Sequence, residues 1–223
     1  MTEPTTKLSH SYTSIKMFEN CPKRYFHQRI EKSVQDQGGE ASLYGERVHK
    51  NLEDRLKSGA ELPADCATME PVCRKLETAA GDAGVMAEQE MTLNEQLEPT
   101  GWWDKDAWLR SKIDVLAVRG STAAMVDWKT GKRRPDFDQL EMFALQVFKH
   151  YEDVERVRTT FVWTKTKDTD SKVFTRDDEA PLWQKLLAKI TRIEQALEAE
   201  NWPARPSGLC PWCPCQSFCE YAR

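Results

Sequence analysis

The sequence predicts an α/β protein, a mixed central β-sheet flanked by helices. Three observations lead there. Two apolar runs between Trp108 and Lys129 flank a short Arg-Gly-Ser-Thr turn containing Gly120, the pattern of a β-hairpin. Further strand-like segments lie at residues 85–93, 156–164 and near Val173-Phe174. Segments with helical spacing precede, interrupt and follow these strands, giving the order helices, three strands, helix, two strands, helix, tail. That order is not doubly wound, and neither a Gly-x-Gly-x-x-Gly nor a P-loop occurs.

Each element has a local cause. Ser11 is a candidate N-cap for a helix over 11–20 that repeats Ile15 and Phe18 at helical spacing, and Pro22 suits the first position of a second helix carrying Tyr25, Phe26 and Ile30. Ser33 to Ala41, with Gly38-Gly39, reads as a mobile loop. Over 42–57 Tyr44, Val48, Leu52 and Leu56 recur every four residues, an amphipathic helix with His49 beside the stripe. A loop over 59–68 leads to a helix over 69–81, with Cys66 and Cys73 as ordinary buried thiols. In the strand at 85–93, alternation puts Glu88 and Glu90 on one face and Ala87, Gln89 and Met91 on the other. Pro99 and Gly101 mark 94–107 as a loop. Residues 138–151 form a helix with Leu140, Phe143, Ala144, Val147, Phe148 and Tyr151 on one stripe, and Gln139 faces back toward the end of the hairpin. A long helix over 181–200 buries Leu182, Leu186, Ile190, Ile193 and Leu197, and Asn201-Trp202-Pro203 ends it.

With 39% hydrophobic and 30% charged residues in 223, the chain fits a folded globular protein rather than a disordered one. No apolar run approaches the roughly 18 residues of a membrane span, and Met1–Lys7 contain no apolar signal core, so a cytoplasmic protein without membrane partners is expected. A net charge of −4 gives no general attraction to nucleic acid, so any such binding needs a local basic surface. In that compartment the seven cysteines are not read as disulfides.

The hairpin carries the chemistry. Asp127 and Lys129 share one face of its second strand while Val126 and Trp128 take the other, and Asp114 lies opposite in direction to Ile113 and Val115 on the first strand. If Asp114 joins the same side, two carboxylates and an ammonium meet on one patch, which is costly in a core without a role. Two oxygen ligands suit Mg²⁺ or Mn²⁺, and an adjacent lysine can ready a water: the parts for metal-assisted phosphodiester hydrolysis. The bland alternative is an ordinary surface Asp–Lys bridge. Lys132, Arg133 and Arg134 follow directly as a basic turn able to contact phosphate.

Cys210, Cys213, Cys215 and Cys219 crowd the C-terminal end, and Cys21 stands near the other. Thiolates at this spacing usually hold a soft metal, either a [4Fe–4S] cluster or a structural Zn²⁺, the bland alternative being free thiols in a disordered tail. The ligands are Cys21 with Cys210, Cys213 and Cys219, clasping the two ends of the chain, or a local set that uses Cys215 instead of Cys21.

Taken together these segments resemble the PD-(D/E)XK nuclease superfamily, in particular its iron–sulfur branch similar to Cas4 and the nuclease domains of AddB and Dna2. The resemblance spans nearly the whole chain: Leu8 to Ser14 and Cys21 to Tyr25 at the opening, Gly45-Glu46-Arg47-Val48-His49 as Gly-x-x-x-His, Ile113-Asp114, Asp127-Trp128-Lys129 as (D/E)-x-K, Gln139 to Phe143 as Gln-x3-Tyr with Phe in the last place, and the terminal Cys-x2-Cys-x5-Cys. It implies one nuclease domain over 1–223 with a restriction-endonuclease-like core at 69–200, N-terminal helices at 11–57 and a cysteine-rich tail at 201–223. It further implies metal ligands His49, Asp114, Asp127 and the Trp128 carbonyl, Lys129 acting on the attacking water, Gln139 as a positioning group, an early acid at Glu88 in preference to Glu90, and an iron–sulfur site at Cys21, Cys210, Cys213 and Cys219. The expected activity is metal-dependent cleavage of DNA that is single-stranded or has free ends, as an exonuclease or single-strand nuclease in recombination, repair or phage DNA processing, with any helicase or recombination partner on a separate chain. The alternative is a nuclease-fold module that binds DNA ends or a partner and cuts little.

Overall fold

The computed structural model describes residues 8–36 and 38–221; the Met1–Lys7 segment read for a signal lies outside the described residues. No helix among the described residues is long and apolar enough to cross a membrane. The described residues divide into two compact units, one of residues 39–182 with Leu8 and Ser9, the other of residues 10–36, 38 and 183–221.

The first unit is built on one five-stranded sheet in the order β1 (Met86–Leu93), β2 (Leu109–Arg119), β3 (Thr122–Lys129), β4 (Arg156–Trp163), β5 (Thr169–Thr175). Every neighbouring pair is antiparallel except β3 and β4, which run parallel. The parallel pair follows from the connection: α5 (Phe137–His150) carries the chain back across the sheet, as a parallel neighbour demands. The sheet is therefore mixed and flanked by helices, as the element order predicts. β5 is longer than the Val173-Phe174 segment visible in the sequence because most of its side chains are exposed and carry no apolar pattern.

Alternation along the strands feeds a core on each face. Val48 and Leu52 of α3 (Glu40–Ser58) pack with Val115, Val126, Trp128 and Val162, joined by Cys66, Met69 and Cys73 near and on α4 (Glu70–Ala80). Leu116, Met125 and Phe161, one step along each strand, are equally buried, and α5, which packs against β1, β2, β4 and β5, buries Leu140, Phe143, Ala144, Val147 and Phe148. Phe143, the position where the resemblance has tyrosine, is one of these core residues. Helix α3 begins at Glu40, inside the expected loop, and ends on Gly59 in the left-handed conformation (φ 71°), where glycine carries no Cβ penalty.

The second unit gathers α1 (Tyr12–Asn20), α2 (Pro22–Tyr25, continued by a π turn over Phe26–Ile30), most of α6 (Glu179–Glu198) and the tail. Ser11 and Ser14 form a reciprocal capping box at the start of α1, and Pro22 occupies the first turn of α2. Trp202 stacks on Tyr25 at 5.9 Å and Phe18 meets Tyr25 edge-on at 5.6 Å, so the tail is pinned by aromatic packing. Lys189 adds an ion pair to Glu19 at 3.0 Å, and Lys23 pairs with Glu220.

Candidate active site

Strand register sets the site. β2 and β3 pair from Arg119↔Thr122 to Val115↔Val126, so the next step brings Asp114 opposite Asp127. There the ladder changes character: the Trp128 N–H donates to Asp114 Oδ2 at 2.7 Å. The Asp114 carboxylate thus stands where a strand carbonyl would. Its other oxygen lies 3.2 Å from His49 Nδ1, reaching from α3. The Trp128 backbone is consequently at the site while its indole is buried in the core.

Asp127 is 4% exposed and held by two groups. Gln139 Nε2 donates to its Oδ1 at 2.8 Å, and Lys129 Nζ stands 2.6 Å from its Oδ2. That buried oxygen has Lys129 as its ionic partner. Lys129 Nζ gives its hydrogen bond to Gln139 Oε1 at 2.8 Å and also lies over the Phe161 ring. Gln139 therefore couples the acid to the amine. Burial, and then the Asp114 charge beside it, push the Asp127 carboxyl up to about 6 against the pull of Lys129 and His49. At His49 burial works against the charged imidazole, but the hydrogen bond and charge of Asp114, with Asp127 and Glu88 behind, outweigh it and raise the pKa.

Glu88 reaches the same spot by a local distortion. Glu88 and Asp114 drop out of the β1–β2 ladder between Ala87↔Val115 and Gln89↔Ile113, and Glu88 has φ 54°, a left-handed backbone rare for a non-glycine residue. Among the described residues, His49, Glu88 and Asp114 are the trio of His, Cys, Asp or Glu ligand atoms lying within 4.8 Å of one another. Asp127 is outside that trio, engaged by Lys129 and Gln139. Glu90, exposed, lies outside it too. Lys112, which the sequence reading missed, pairs with Glu88 at 2.6 Å. It sits two residues before Asp114, so strand alternation alone would have put it on that face.

This donor set fits a divalent cation. One imidazole and two carboxylates converge, and the buried Asp127 carboxylate interacts with Asp114 and His49 beside them. In the basic turn, Arg133 is already paired with Asp170 through two hydrogen bonds of 2.7 and 2.9 Å, while neither Lys132 nor Arg134 has a carboxylate partner among the described residues.

In the second unit a cavity of about 60 Å³ is lined by Cys21, Cys210, Cys213 and Cys219, with Arg24 and Arg205. The Arg205 backbone N–H points at Cys21 Sγ (3.4 Å) and the Ser207 N–H at Cys210 Sγ (3.2 Å). Cys215 is buried and does not line the cavity; burial, then Cys213, pushes its thiol up to about 12. All seven thiols are free of disulfides.

Comparison with known proteins follows the same lines. The family described as the PD-(D/E)XK nuclease superfamily matches residues 9–220. The fold is similar to the crystal structure of SSO0001 at TM-score 0.51 and 12% identity, covering 100% of this chain and 90% of that one. It is also similar to the crystal structure of a "Putative exonuclease" from Eubacterium rectale at TM-score 0.56 and 15% identity, covering 96% of this chain and 92% of that one. No curated protein matches in sequence.

Proposed function

Because the chain belongs to the PD-(D/E)XK nuclease superfamily, we propose that it is a Mg²⁺- or Mn²⁺-dependent deoxyribonuclease acting on single strands or free ends, as an exonuclease or single-strand nuclease. The observation that carries this is the coupling of Lys129, Gln139 and Asp127 beside the His49–Glu88–Asp114 trio. His49, Glu88 and Asp114 would hold the cation, with Asp127 and the Trp128 carbonyl completing its surroundings. When bound, the cation supplies charge stabilisation for the scissile phosphate and lowers the pKa of a coordinated water. Lys129 Nζ, oriented by Gln139, hydrogen-bonds the attacking water and steadies it for proton loss. The name exonuclease borne by the Eubacterium rectale structure supports action at ends.

The same proposal extends to the cysteines: Cys21, Cys210, Cys213 and Cys219 line one cavity, which supports reading the chain as a member of the iron–sulfur branch of the superfamily. A tetrahedral zinc site with Zn–S of about 2.3 Å needs sulfurs about 3.8 Å apart. No three cysteine sulfurs among the described residues lie within 4.8 Å of one another. The reading is a [4Fe–4S] cluster on Cys21, Cys210, Cys213 and Cys219, which line one cavity, with structural zinc as the alternative.

End-labelled single- and double-stranded DNA incubated with Mn²⁺ or Mg²⁺ tests the activity. Cleavage by the native chain, abolished in Asp114→Ala and Lys129→Ala with DNA binding retained, is the expected result. Binding without metal-dependent cleavage by the native chain would instead favour the end-binding module. Iron content and visible absorbance of anaerobically purified protein test the cluster.

A further inference from the structure

Beside the site, an open cleft of about 620 Å³ lies between the start of α3 and the segments that follow β3 and β4. Its floor includes Thr130 and the buried Trp163. Tyr44 lines one wall, half-buried, with its inner edge packed on the α3 core cluster. Lys132 and Lys165 are exposed on the cleft, and neither has a carboxylate partner among the described residues. Lys165 Nζ lies 5.3 Å from the centre of the Tyr44 ring, and the Arg47 guanidinium lies 5.5 Å from it. Arg133 also lines the cleft but is neutralised by Asp170, and Glu40 is its acidic lining residue. Arg47 is itself paired with Asp65 at 2.6 Å, so the balance is an aromatic ring with two cations, Lys132 and Lys165, that lack a carboxylate partner among the described residues, a composition that binds a nucleic-acid strand by stacking and phosphate contact.

Position connects the cleft to the cutting site. Thr130 of the cleft directly follows Lys129 of the site, and Tyr44 and His49 are on one helix. Gly45, between them, lets α3 lie against Thr130: a Cβ there would be 3.1 Å from Thr130 Oγ1. We infer that this cleft is a subsite for one strand of DNA, with Tyr44 as the base-stacking platform and Lys132 and Lys165 as phosphate contacts. Interior bases of a duplex are stacked on each other and offer no free face to Tyr44, so along a strand the subsite selects single strands or frayed ends. The inference rests on the nuclease reading and adds the residues that choose the substrate.

The test measures binding of fluorescein-labelled single-stranded and blunt duplex DNA to the full chain in EDTA by anisotropy, alongside cleavage in Mn²⁺. Tyr44→Ala should weaken single-strand binding about 5- to 100-fold, with the duplex little affected, and Tyr44→Phe should restore it. Lys132→Gln and Lys165→Gln should each lower the salt slope of single-strand binding by about one. Circular dichroism of each variant establishes that α3 is intact. Single-strand affinity unchanged in Tyr44→Ala, or lost equally for duplex, overturns the subsite. A native chain that cleaves no DNA overturns the nuclease reading instead, so the two failures are distinguishable.

Discussion

At the scale of single residues, the spacing of Asp127 and Lys129 is enough to put an acid and an amine on one side of a strand, and the structure adds the group that ties them. Gln139 accepts from Lys129 and donates to Asp127, so it acts through both. Gln139→Leu should lower kcat about 10- to 100-fold, the usual effect of removing such a supporting contact, while KM for DNA stays near that of the native chain. Single-turnover cleavage checks it, and a matching rise in KM would mean that Gln139 holds the strand instead. The early acid illustrates what a sequence does not carry. Alternation puts Glu88 and Glu90 on one face and cannot separate them. The left-handed backbone at Glu88 breaks that alternation, and such a conformation has no signature in residue type. Glu88→Gln should weaken Mn²⁺ binding by at least tenfold in calorimetric titration, and Glu90→Gln should leave it within twofold; equal effects would remove Glu88 from the ligand set.

At the scale of elements, α3 was legible from its four-residue apolar repeat, but its reason for containing Gly45 was not. Glycine in a helix interior costs about 1 kcal/mol relative to alanine. Here it is retained where a Cβ would press on Thr130 Oγ1 at 3.1 Å, a contact between segments far apart in sequence. The two effects oppose each other, which a double-mutant cycle can resolve. Gly45→Ala alone should change stability by less than about 0.5 kcal/mol, because the propensity gain is offset by crowding. In a Thr130→Ala background the same change should stabilise by about 1 kcal/mol. Urea unfolding of the four proteins measures the coupling; additive effects would show that the close approach at Gly45 carries no energetic weight.

At the scale of the whole molecule, the order of helices and strands was readable from local periodicity, whereas the grouping of residues 10–38 with 183–223 was not. That grouping depends on contacts such as Tyr25 on Trp202, which no local pattern encodes. The unit it creates buries His10, 1% exposed, with Glu194 Oε1 3.9 Å from its Nε2. Burial first, and then the Arg29 charge, lower the imidazole from 6.5 to about 4. A histidine held neutral in the folded state favours folding fully above its unfolded pKa, and that contribution is lost as pH falls from 6.5 toward 4. Between pH 7 and pH 5 the loss is about 2 kcal/mol for a shift of this size. Asp127 works in the opposite sense, since a carboxyl raised to about 6 contributes stability at acid pH that fades as pH rises through that value. The His10 effect is therefore read as a difference: urea unfolding of the native chain and of His10→Gln across pH 5 to 7. The native chain should lose about 2 kcal/mol more than the variant on acidification. Parallel pH profiles for the two proteins would mean that His10 is as easily protonated folded as unfolded, and that its burial exerts no control over acid stability.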